Sequence, residues 1–245
     1  MCCFSQPVER VSDTKIFARL AESKLQYLVY EMSYAAPHDL AMILPIPSQS
    51  DDVEFIDLSG YPHFFSDVEN LFNPDYMTKG IRRSFNGADH LVLKVHNVGS
   101  YEASFVPSLL DFDRLDPRFS IPSDVWRSIP GYDRFGFVVF KLRATTNAHV
   151  HPMAFKFSSF LTGTHPTEAR LYFPTVHIHR GSYNPGIEEF DHMLYFQGWF
   201  GGERKSRVQP GWSMRDRSKG ILSAGADVKC LVMRGKHRNE DTVLS

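Results

Sequence analysis

The sequence predicts an α+β protein, mainly antiparallel β-sheet with a few short helices. Three observations lead there. Apolar residues in both halves either alternate with polar ones or run in short β-branched and aromatic blocks. Helical signals are confined to residues 65–130. Long crossover helices alternating with apolar strands, which a doubly wound parallel sheet needs, do not occur.

The first strands fall at residues 14–20, 26–33 and 40–46. In the second, Tyr27, Val29 and Glu31 alternate with Leu28, Tyr30 and Met32, and Pro45 and Pro47 stop the third. A short strand at 53–58 precedes Gly60-Tyr61-Pro62. Ser66-Asp67-Val68-Glu69 then supplies a helix cap and acidic first turn, with Val68, Leu71 and Phe72 on one face. A strand is expected at 91–97 and a short helix at 104–110, with Pro107 in its first turn. Pro122-Ser123-Asp124 starts a helix through Trp126 that Pro130-Gly131 ends. Strands follow at 135–143, 153–157, 170–173, 175–179, 192–197 and 228–233. The expected organisation is one domain over 1–233 and a charged, flexible tail over 234–245.

A chain of 245 residues with 42% apolar and 22% charged residues has ample capacity for a packed core. Net charge is −1, so no global field draws it to nucleic acid or an anionic membrane, and neither is an expected partner. The local basic stretch Arg204 to Arg207 with Arg215, Arg217 and Lys219 is interrupted by Glu203 and Asp216 and reads as a solvated loop. Residues 2–15 lack an apolar signal-peptide core, and the longest apolar run, Leu40 to Leu44, is too short to cross a bilayer. Cys2, Cys3 and Cys230 form no disulfide framework, so a reducing, cytoplasmic setting is expected.

Chemistry concentrates in the histidines. Six of eleven lie between His149 and His192, four of them as the pairs His149/His151 and His177/His179. On a strand, a one-residue gap aims both imidazoles of a pair to one side. A turn through Tyr183-Asn184-Pro185-Gly186 returns His192 towards the first pair; Glu188 or Glu189 supplies an oxygen ligand or orients an imidazole, and Glu189 is the candidate carboxylate base. Three nitrogen ligands and an open position suit a catalytic Zn, Fe or Cu site. The two-histidine strand resembles that of cupins, without the glutamate and glycine spacing that follows it there.

The start Met1-Cys2-Cys3-Phe4 holds a second lead. Removal of Met1 leaves Cys2 with an α-amine of pKa about 7.7–8.0 beside its own thiol, the pairing used by N-terminal nucleophile hydrolases. Cys2 with Phe17-Ala18-Arg19 resembles the opening of the choloylglycine hydrolase and penicillin V acylase branch. That resemblance implies Cys2 as nucleophile and Arg19 near it, with Glu22 where the family has an aspartate nearby. A longer resemblance, carried by the early Cys, Gln6-Pro7-Val8, residues 39–47, Tyr132 with Gly136 to Leu142, and His151-Pro152-Met153, is to an uncharacterised family of mostly exported bacterial domains. It implies one contiguous domain and no particular reaction.

Three functions are consistent with these residues. One is a metal-binding protein or metalloenzyme using His177, His179, His192, His149 and His151. Another is an amidohydrolase using Cys2 and Arg19, acting on a small molecule or peptide. The last is a non-catalytic, β-rich interaction module.

Overall fold

The architecture follows from which face of each strand is apolar. A computed structural model describes residues 3–21, 24–50, 52–73, 96–98, 101–163, 165–178 and 181–245. In chain order the elements are β1 (Cys3–Phe4), β2 (Arg10–Leu20), β3 (Leu25–Ala36), β4 (Leu40–Ile46), β5 (Glu54–Ile56), α1 (Phe64–Asn70), β6 (His96–Val98) and β7 (Tyr101–Val106). Then come α2 (Ser123–Arg127), β8 (Gly136–Leu142), β9 (Thr145–His149), β10 (Met153–Ser158), β11 (Leu171–Phe173) and β12 (Ile187–Gln197). The chain closes with β13 (Arg204–Lys205), α3 (Trp212–Arg217), β14 (Val228–Arg238) and β15 (Thr242–Leu244). The described residues are mostly antiparallel sheet with three short α-helices.

Five strands form one sheet in the order β1-β4-β8-β7-β6. A larger sheet runs β13-β14-β12-β2-β3-β10-β5, with β9 also pairing β3. Only β2 and β12 pair in parallel among the described strands, Lys15 opposite Met193 through Arg19 opposite Gln197.

Period-two alternation assigns the two faces of the large sheet to two cores. Ile16, Ala18, Leu28, Tyr30, Leu194 and Phe196 face the main core, shared with β4, β8 and the Phe112/Trp126 cluster. Phe17, Val29, Ala154, Tyr195, Val228 and Cys230 face a second core closed by α1. Helix α1 supplies Phe64, Phe65 and Val68 to it, and burying each of these side chains stabilises by about 1.5–3 kcal/mol. Gly136 opens β8 at a close approach, where a Cβ would run into the Ser48 carbonyl and sit 2.6 Å from the Phe105 ring.

Several expectations are corrected. Helix α1 begins two residues before Ser66, with His63 at its cap position. The expected helix at 104–110 is instead β7 ending at Val106, followed by a 3-10 helix over Leu109–Arg114. Pro107 explains the change, because the residue before proline is held extended. Residues 204–217 are not a plain loop but carry β13 and α3. Nor do residues 234–245 form a tail. Strand β14 continues to Arg238 against β12, passing through Gly235 at φ 84°, a conformation that favours glycine, and β15 pairs with β11. Of the expected strand at 91–97, residues 91–95 lie outside the described residues.

Candidate functional site

The segment that carries His177 is not a strand, although its Val-His-Ile pattern alternates. Its backbone donors are taken by side chains from the chain's end. Thr175 N–H and Val176 N–H donate to Asp241 Oδ1 at 2.9 and 3.1 Å. His177 N–H donates to Asn239 Oδ1 at 2.7 Å, and Asn239 Nδ2 returns a bond to the His177 carbonyl at 3.0 Å. Ile178 makes only an isolated parallel bridge, to Cys3.

That bridge joins the two sequence leads. Strand β1 lies between β4 and the histidine segment, with Phe4 N–H donating to the Ile178 carbonyl at 3.0 Å and Cys3 Sγ to the Val176 carbonyl at 3.6 Å. Cys2 and His179 themselves lie outside the described residues.

Below the segment sits a buried polar node that the sequence reading missed. Asp241 Oδ2 accepts from the hydroxyls of Tyr132 at 2.5 Å and Tyr172 at 2.7 Å. Burial raises the Asp241 carboxyl above its ordinary range against the pull of those donors, and raises both tyrosines well above theirs. Four donors on one carboxylate, from residues up to 109 positions away, hold β11, the 3-10 turn at Tyr132–Arg134 and the histidine segment together. No local sequence pattern announces such a node.

The imidazoles of His177 and His192 come together, ring centroids 5.4 Å apart, and both residues are buried. Phe190 packs against both, 4.0 Å from His177 and 5.2 Å from His192, so the three rings form a triangle. Phe190 and His192 share a face of β12 because they are two residues apart. By the same rule Glu189 projects from the other face and is exposed, so it is not placed as a base for this pair.

The other expected ligands are elsewhere. His149 stands opposite Ser33 on β3, its Nε2 3.2 Å from Glu31 and its Nδ1 3.1 Å from Ser33 Oγ. Glu31 is opposite Lys15, and Lys15 opposite Met193, which puts His149 on the sheet face away from His192. The Glu31 hydrogen bond raises the His149 pKa, with burial opposing it. His151 packs on Tyr101 at 4.2 Å, and burial lowers its pKa. Of the five expected ligands, His177 and His192 come together beside Phe190, His149 and His151 have other partners, and His179 lies outside the described residues. No group of three or more His, Cys, Asp or Glu residues among them is placed to hold a metal ion.

Arg19 is also committed. Its guanidinium donates to the carbonyls of Ile221 and Gly220, both at 2.6 Å, and lies over the Tyr27 ring at 4.8 Å. It ties β2 to the loop after α3 instead of presenting a cation to an anionic substrate. Burial pushes the Cys230 thiol up to about 11, so it is not an activated nucleophile. An open cleft of about 520 Å³, lined by Leu20, Lys24, Gln197, Trp199 and Phe200, lies five residues along β12 from His192, about 17 Å at strand rise. No described helix is long and apolar enough to cross a membrane.

No protein-family model matches the sequence, and no curated protein matches it significantly. Among solved structures, the chain is similar to a mutated baculovirus P35 after caspase cleavage, with a TM-score of 0.52 and 12% identity over 96% of this chain and 99% of that one. It is similar too to the caspase-8/P35 complex structure, with a TM-score of 0.51 and 12% identity over 96% of both chains. At that identity the likeness establishes a shared fold.

Proposed function

We propose that this chain is a protein-binding module whose partner is a caspase-type cysteine protease, and that it engages that protease as a substrate-like ligand. One observation carries the reading. The fold matches P35 across nearly the whole of both chains, and P35 structures exist both in complex with caspase-8 and after cleavage by a caspase. A fold found both in complex with a caspase and, in a mutated form, after cleavage by one is what a ligand that offers a segment to the protease's active centre would give. The geometry is in keeping with this: Glu189, Arg19 and Cys230 are not assembled into reaction machinery, and the histidine pair is walled by Phe190.

The test mixes the purified chain with active caspase-8 and with a caspase-8 lacking its catalytic cysteine. Size-exclusion chromatography reads complex formation, and intact mass reads chain scission. Co-elution with the active protease together with one defined cut supports the proposal. Neither co-elution nor scission, or turnover of the chain as a freely released substrate, overturns it.

A second reading keeps a transition-metal site, supported by the 5.4 Å approach of His177 and His192. Elemental analysis separates the two. One equivalent of Zn, Fe or Cu, lost in His177→Ala/His192→Ala, would favour the metal; under a tenth of an equivalent would remove it.

A further inference from the structure

The basic stretch at 203–219 is unabsorbed by the protease reading, and its structure is unlike that of a passive loop. It holds six basic and two acidic residues. Helix α3 buries none of its residues, and its first, Trp212, is 70% exposed, with Val208 46% exposed. Val208 and Trp212 are four residues apart and so lie within about 14 Å of each other. Met214 packs the other side of the helix against the second core, so an indole left in water beside it is not required by folding.

The stretch is nonetheless firmly pinned. Arg207 and Val208 N–H groups donate to the Leu71 carbonyl at 2.9 and 3.1 Å, Ser206 N–H to Val228 at 2.8 Å, and Gly225 N–H to Pro210 at 3.0 Å. At the end of α3, Gly220 N–H reaches the Arg215 carbonyl at 2.8 Å and Lys219 N–H the Asp216 carbonyl at 3.0 Å, a Schellman closure. A rigid surface loses little conformational freedom on binding.

Its charges are partly unspent. Lys205 pairs with Asp227 at 2.7 Å and Arg217 with Asp67 at 3.0 Å. Arg215 lies over the Trp212 ring at 5.3 Å, with only an exposed contact to Asp216 at 3.4 Å. Arg204, Arg207 and Lys219 make no ion pair among the described residues. Exposed Trp beside Arg is the composition of interface hot spots.

We propose that Trp212, Val208, Arg207 and Arg215 form a docking surface for an acidic segment of another protein, one that brings an apolar side chain to the indole between carboxylates that meet the guanidiniums. Charge complementarity selects this occupant. Nucleic acid would need a longer run of unpaired cations and successive stacking rings, whereas this stretch has one exposed aromatic and the chain's net charge is −1. The surface is independent of the protease reading and stands if that reading falls.

The probe is a fluorescein-labelled peptide alternating Glu with Leu and Phe, followed by anisotropy at low and moderate salt. A Gln-for-Glu peptide and a single-stranded oligonucleotide are the comparison ligands. Trp212→Ala is expected to weaken binding of the acidic peptide at least tenfold and Arg207→Glu/Arg215→Glu to abolish it. Trp199→Ala, at another exposed indole, leaves it unchanged. All three variants keep the wild-type circular dichroism and melting temperature, because the altered side chains are exposed. No binding by the wild type, equal binding of the Gln peptide, an unaffected Trp212→Ala, tighter binding of the oligonucleotide, or a self-associated dimer occupying this face would overturn the proposal.

Discussion

Replacing Asp241 with alanine should remove more stability than any surface change in the chain. Its carboxylate accepts four hydrogen bonds, from Tyr132, Tyr172, Thr175 and Val176, at 2.5–3.1 Å. Hydrogen bonds to a charged acceptor contribute about 1.5–3 kcal/mol each, so the four give roughly 6–12 kcal/mol before costs. Holding a carboxylate out of water costs several kcal/mol, and the raised pKa shows that this cost is felt here. The difference leaves about 3–5 kcal/mol, since deleting the carboxylate leaves no unpaired charge behind, only neutral donors at about 1–3 kcal/mol each where they stay unsatisfied. Alanine also strands the Thr175 and Val176 N–H groups, because that segment has no strand partner to satisfy them. Asp241→Asn should cost only about 1–2 kcal/mol, because its amide oxygen keeps the two backbone donors and the tyrosine hydroxyls can turn to accept from the NH2. Urea unfolding at neutral pH, comparing midpoints at constant slope, reads both values. An Asp241→Ala protein within 1 kcal/mol of wild type, or an Asn variant worse than Ala, would refute the reasoning.

Two further changes test smaller features. The Glu31 hydrogen bond raises the His149 pKa, so its contribution is fully present below the ordinary histidine value of about 6.5 and fades as pH rises through the folded value. His149→Gln should therefore be destabilised at pH 6 by a few tenths to about 1 kcal/mol, a modest amount because the imidazole is half exposed although Glu31 is buried, and approach wild type by pH 8.5. Burial lowers the His151 pKa, so His151→Gln should show the opposite slope, gaining on wild type as pH falls below about 6.5; parallel slopes for the two variants would contradict this. Lys219 occupies the left-handed position of the Schellman closure at φ 52°, so Lys219→Gly should raise stability by about 0.5–1 kcal/mol in thermal melts, and a loss would show that its side chain does more than tolerate the turn.

Strands were legible where each carried its own signal. Residues 40–46 form β4 over the expected span, and the Tyr27-to-Met32 alternation correctly divides β3 between two cores. Errors arose where distant partners decide. Thr175 to His177 has a strand's pattern, but Asp241 and Asn239, more than sixty residues later, take its N–H groups. Those same two residues, with the pairing of β14 to β12 and of β15 to β11, anchor the charged end of the chain: composition reports solvation, not the partners a segment finds. The His177/His192 approach was anticipated, whereas His149 was drawn off by Glu31, a carboxylate on another strand and the opposite face. Glu189 failed for a reason the sequence does contain, since an odd separation along a strand reverses the face.

The measurement closest to the central claim is a titration of caspase-8 with this chain, read by hydrolysis of a small fluorogenic peptide. A substrate-like ligand that stays bound predicts activity falling linearly to near zero at about one equivalent. Full activity at a tenfold excess of intact, uncut chain would contradict it.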